Sequence, residues 1–291
     1  MRLSAISRGA GVPGPSFDGT VQSVFARAAN LELGSGALVS LVAAELGDHP
    51  RAWRVDAHSG FNFAHLLAAG DRAACRAGVL RFEGRALSID LGAARPWRCG
   101  IANLALDPRK PAVARALEVA RRKLEAHPQY AELENIARTR IAQLADATLR
   151  FDDDAAARAI ARLVGLGPGL TPAGDDYLVG FLAGLWSLEG SVARAAFRVG
   201  FAGHVAAAAR ATNQIGRAFL DAAAEGEVSA RLATLAGALA HARPDGEIDA
   251  ACDAALAVGA SSGAAGVAGL LDAVATFGTE RAAARPRVTS S

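Results

Sequence analysis

The sequence predicts an α+β protein: a β-rich N-terminal domain, barrel or sandwich, over residues 1–108, then an all-helical domain over residues 109–291. Three observations carry that prediction. Apolar and polar residues alternate at short period from residue 21 to about residue 101. From Pro111 onward, apolar residues recur at three- and four-residue spacing. The 291 residues are 52% hydrophobic but only 5% aromatic, and about a quarter are alanine, so a sizeable core must be built largely from small side chains.

Residues 1–20 are rich in Gly, Pro and Ser and read as a loose start or a leading strand. Residues 21–33 mix apolar and polar positions, Gly34-Ser35-Gly36 breaks the run, and residues 37–46 resume it. Residues 53–57 make a short strand. The clearest local signal is residues 79–91, two alternating runs joined at Glu83-Gly84 as in a hairpin. The helical part opens at Pro111, whose fixed φ and missing N–H suit a first turn, and the first helix runs to Glu125. Further helices are expected over residues 131–149, 155–164, 172–188, 192–210, 213–224, 229–240, 245–257 and 262–276. Asp152, Asp153 and Asp154 favour the helix start at 155 through its positive dipole end. Gly180 and Gly184, four apart on one face, allow a second helix to approach closely. Residues 281–291 read as a frayed tail.

Charge excludes some partners. The net charge is +2, with +6 on residues 1–150 and −4 on residues 151–291, which is no polybasic patch for nucleic acid. Cys75, Cys99 and Cys252 lie far apart with no metal-ligand spacing, as expected of reduced cysteines in a cytoplasmic protein. Residues 1–20 hold no apolar run of signal-peptide type. The longest apolar stretch, residues 177–188, is too short to cross a bilayer and reads as a buried helix. Neither nucleic acid nor membrane is expected as a partner.

One segment stands apart: residues 165–176, GLGPGLTPAGDD. Gly165, Gly167 and Gly169 permit positive φ and close backbone approach to a ligand. Thr171 is a natural N-cap with Pro172 at the first helical position, leaving the amides of Ala173 and Gly174 free at a helix N-terminus, where an anion can bind. Asp175 and Asp176 repel a bare anion but accept from an amide NH2, or admit a phosphate through an intervening cation. The same residues also fit a stiff turn and a well-capped helix. The segment lacks the Gly-Lys-Ser/Thr of a nucleotide phosphate loop. A second loop, Gly259-Ala260-Ser261-Ser262-Gly263, precedes another helix and fits plain capping or a second ligand loop. In a third cluster, Arg210 can clamp a carboxylate or phosphate, while Thr212 can equally cap the helix that Asn213 opens. His204 reads as structural. His58 and His65, seven apart, suit no usual metal site.

Residues 165–180 (GLGPGLTPAGDDYLVG) resemble the signature of the AllH-like family, the oxamate carbamoyltransferase subunit. Residues 21–41, 212–226 and 257–269 resemble its N-terminal strand region, its Thr-led helix and its closing Gly-rich loop. Where the family commonly carries His and, five residues on, Asp, this chain has Ala260 and Ala265; Gly216 stands where Ser is usual. The resemblance implies an enzyme subunit that, with two partner subunits, moves a carbamoyl group between oxalurate and phosphate in allantoin breakdown. That chemistry needs a phosphate site, a carboxylate clamp and donors for the developing oxyanion.

The expectation therefore places Asp175, Asp176 and Thr171 in catalysis. Gly167, Gly169, Gly174, Arg210, Thr212, Asn213, Ser261, Ser262 and Gly263 are expected to bind an oxalurate-like anion and phosphate. No resident cofactor or metal is assigned. Two alternatives stand beside this reading: a hydrolase or phosphotransferase using Mg2+ at Asp175 and Asp176, and a non-catalytic scaffold subunit.

Overall fold

The structure is a computed structural model and describes residues 1–278, so the tail expected over 281–291 lies outside the described residues. The N-terminal part is a barrel. Its strands are β1 (Arg2–Gly9), β2 (Phe17–Val24), β3 (Ala28–Leu33), β4 (Leu38–Ala43), β5 (Ala52–Val55), β6 (Arg72–Arg76), β7 (Val79–Phe82), β8 (Ser88–Asp90) and β9 (Arg95–Trp97). The sheet runs β5-β4-β3-β2-β6-β7-β8-β1, and antiparallel pairing of β1 with β5 closes eight strands on themselves. Closure leaves no open edge along that ring. β1 pairs in parallel with β8 through Arg2–Ser4 and with β9 through Ser7–Gly9. Alternation points one face inward, as in β1, where Ala5, Ser7 and Gly9 are buried between more exposed neighbours. Leu31, Leu41, Trp53, Phe63, Leu80 and Ile89 fill the interior. The expected hairpin is present as antiparallel β7 and β8, with Gly84 at φ 70° in the turn.

Nine helices follow among the described residues: α1 (Pro111–Glu125), α2 (Pro128–Leu149), α3 (Asp153–Leu163), α4 (Ala173–Ser187), α5 (Val192–Ala208), α6 (Gln214–Ala224), α7 (Ala230–Ala240), α8 (Asp245–Leu256) and α9 (Ser262–Gly278). Their starts obey local chemistry. Pro111 and Pro128 sit in first turns, and the side chains of Asp152, Ser191 and Ser229 cap α3, α5 and α7. α4 and α9 form the centre and are buried along almost their whole length. The expected close approach at Gly180 is real. An added Cβ there would lie 1.9 Å from the Gly266 carbonyl oxygen, and one at Gly269 would lie 2.0 Å from that of Tyr177.

Barrel and helices are joined where β4 and the segment after it meet α6 and α7. Leu38 packs with Ile215, Ala218 and Phe219. The Ala230 amide donates to the Asp48 carbonyl at 2.9 Å, and Arg231 donates to the Glu45 carbonyl at 2.7 Å. No helix among the described residues is long and apolar enough to cross a membrane, and residues 177–188 fall within and just after buried α4.

Candidate functional site

Residues 165–172 turn the chain from α3 into α4. Gly165, Gly167 and Gly169 have φ of 73°, 102° and 104°, conformations that an L side chain rarely takes. α4 begins one residue later than the sequence predicts: Pro172 is its cap, and Thr171 makes no cap bond. The Thr171 hydroxyl instead meets the Ser262 hydroxyl at 2.8 Å, linking this loop to the start of α9. The row of free amides is also shorter than expected. Gly174 donates to the Leu166 carbonyl at 2.9 Å, and Asp175 and Asp176 donate to that of Pro172 at 2.9 and 3.1 Å. Gly174 is thus consumed by the fold, with its Cα against the Leu163 carbonyl. Among the described residues, the amides of Gly167, Gly169, Thr171 and Ala173 meet no acceptor.

Successive helical residues diverge by about 100°, and the two aspartates have different surroundings. Asp175 is 1% exposed. It accepts from the Gly165 amide at 2.7 Å and from the Thr212 hydroxyl at 2.5 Å. Burial raises its pKa, and those two donors act in the opposite direction. A Cβ on Gly216 would lie 2.3 Å from Asp175 Oδ2, so the glycine at this position leaves room for the carboxylate. Asp175 is a pin between the loop, α4 and the start of α6. Thr212→Val should therefore lower unfolding free energy by about 2 kcal/mol, the scale of a hydrogen bond to a charged group. Urea denaturation checks this, and an unshifted midpoint would contradict it.

Asp176 is placed differently. It is 8% exposed, and its Oδ2 is buried with no hydrogen-bond partner. Burial pushes its pKa up to about 7; the Ser262 and Thr171 hydroxyls pull it down and the Asp175 charge pushes it up. It lines a cavity of about 280 Å³ together with Thr171, Ser262 and Gly263, and with Ser229, Arg231 and His49 from α7 and the barrel. Val179, Phe219, Val228, Leu232 and Val267 make the rest largely apolar. Glu227 is also in the wall, but Arg98 at 2.9 Å and the Cys99 amide at 3.2 Å occupy its oxygens. Arg231 donates to the carbonyls of Glu45 and Ala254, its charge also acts on the Glu45 carboxylate, and it makes no close ion pair with an acid among the described residues.

The other expected site residues divide. Ser262 and Gly263 line the cavity; Ser261 does not. Gly167 is half-buried against Ala173 and Ile136 and Gly169 is exposed, and both fall outside the lining. Asn213 caps α6, accepting from the amides of Ile215 and Gly216 at 3.0 Å each, and Thr212 bonds Asp175 rather than capping. Arg210 is exposed and away from the cavity; Arg231 is the arginine that reaches it. His49, Ser229 and Arg231 escape sequence reasoning because long-range contacts bring them in. The expected Mg2+ alternative needs converging ligands, but Asp175 spends both oxygens on internal donors. Among the described residues no three of His, Cys, Asp and Glu gather as a metal site. His204 pairs with Asp153 at 2.8 Å, as a structural residue does.

The family model described as "Oxamate carbamoyltransferase subunit AllH" matches residues 163–274, which hold Thr171, Asp175, Asp176 and Ser262. The model "AllH family N-terminal domain" matches residues 6–96, the barrel. No curated protein and no solved structure matches the chain. Together the two family matches cover most of the sequence, and the chain belongs to the AllH family.

Proposed function

We propose that this chain is a subunit of a carbamoyltransferase of the oxamate type, acting with partner subunits, and that its Asp176 cavity holds a small ureido anion. The observation that carries this reading is Asp176 Oδ2, buried without a partner in the wall of a cavity that Arg231 also lines. A buried polar atom left unsatisfied is destabilising, and a ligand donor is its natural complement. Family membership supports the reaction class.

In this reading a phosphate oxygen attacks the carbamoyl carbon of oxalurate. An O–C bond forms, the C–N bond to the oxamate nitrogen breaks, and that nitrogen takes up a proton. A carboxyl poised at about 7 is suited to give that proton and to regain one from the attacking phosphate. Arg231 offers the cation for the carboxylate end of the ligand, in place of the expected Arg210. The Thr171 and Ser262 hydroxyls, bonded to each other, line the same cavity and favour the ionised form of Asp176.

The test is co-expression with the products of neighbouring genes, purification of the complex, and assay of carbamoyl phosphate from oxalurate and phosphate. Activity that falls at least 100-fold on Asp176→Asn supports the reading. A complex whose activity is unchanged by that substitution overturns it.

A further inference from the structure

We propose that the barrel supplies a ligand-contacting group to this cavity: His49, as a neutral imidazole whose Nε2–H donates to an oxygen of the bound anion. This rests on the assignment of the Asp176 cavity as the ligand site. His49 lies just before β5 and lines the same cavity as Asp176, Thr171 and Ser262. Its Nδ1 accepts from the Arg51 amide at 3.3 Å, which places the ring proton on Nε2. That Nε2–H meets no acceptor among the described residues.

The ring is held from several sides. It packs against Phe219 of α6 with centroids 4.4 Å apart. The chain on one side of it is fastened to α7 through the Ala230 amide on Asp48 and through Arg231 on Glu45. Burial, and then the Arg51 charge, push its pKa down to about 4, so the imidazole is neutral at any working pH. A neutral donor fixed in an apolar wall contributes direction to a bound oxygen without adding a second cation beside Arg231. The barrel, in this account, is part of the site and not a separate appendage.

Two substitutions separate donation from packing. His49→Phe keeps the ring against Phe219 but has no N–H; His49→Gln gives up the ring but keeps a side-chain N–H donor. Oxalurate binding to the full chain is measured by calorimetry, with the melting temperature as the control for folding. The expected result is at least tenfold weaker binding by His49→Phe, and binding by His49→Gln within about threefold of the parent. Equal weakening in both, or no weakening in His49→Phe, overturns the proposal. Should either variant fail to fold, the imidazole N–H resonance of the unmodified chain decides: it moves when oxalurate is added if His49 donates, and an unmoved resonance overturns the proposal. Binding that is lost in Asp176→Asn yet intact in His49→Phe removes only the His49 role. Absence of oxalurate binding by the unmodified chain removes the cavity assignment and this inference together.

Discussion

Asp176→Asn should make the protein more stable above neutral pH while it abolishes turnover in the complex. The carboxyl has a pKa near 7 in the folded chain against an ordinary value of 3.8. Between those values the folded state keeps a proton that the unfolded state has released, so unfolding free energy falls as pH rises. The stabilising contribution is complete below about pH 4 and is lost as pH rises through about 7. At 1.36 kcal/mol per unit, the whole change is about 4 kcal/mol. Asparagine carries no such dependence. Urea denaturation of both proteins at pH 5 and pH 8 should show the variant gaining several kcal/mol relative to the parent across that range. Parallel pH dependence of the two would contradict a buried, uncompensated acid. A residue that weakens the fold at working pH, yet stands in a cavity wall, is the kind of site at which stability and activity trade against each other.

The second large effect is on the fold. Gly269→Ala should destabilise by about 3 kcal/mol or more, the upper end of the range for overpacked cores. Its Cβ would stand 2.0 Å from the Tyr177 carbonyl oxygen and 2.7 Å from the Phe181 amide nitrogen. Both are backbone atoms of α4, which cannot rotate aside as a side chain can. Separation of α4 from α9 would also strain the Thr171–Ser262 contact, because those residues sit at the starts of the same two helices. Gly203 of α5 is the control. It is exposed, and a Cβ there would meet nothing within 4 Å. Gly203→Ala should be neutral or stabilising by up to about 1 kcal/mol, since alanine is the better helix former. Comparable losses in the two variants, read from thermal or urea unfolding, would refute the packing account.

The helices were readable because their ends carry local chemistry. Pro111 at a first turn, Asp152 as a side-chain cap and Ser229 before α7 each act within one turn of the chain. The barrel was less readable. β6 is the short RAACR with charged ends, and β9 is three residues containing Pro96, so neither has the length for alternation to show. Both are strands because neighbours pair with them, as β9 pairs with β1. Closure through β1 and β5 is likewise a contact between distant segments.

The candidate site divides along the same line. Asp176, Thr171 and the positive-φ glycines were visible in a local motif. The different fates of Asp175 and Asp176 were visible only in part: helical geometry separates them, but it does not say which one meets Thr212 and which the cavity. Arg231 could not be told from Arg210 by sequence, since both flank apolar helices; only Arg231 lies where α7 meets the barrel. His49 carries no motif at all.

The most direct test of the central claim is a carbon-13 carboxyl titration of Asp176, assigned by its absence in Asp176→Asn, with and without oxalurate. A midpoint near 7 in the free protein, displaced when oxalurate is present, is the predicted result. A midpoint in the ordinary range near 4 that oxalurate leaves in place would contradict it.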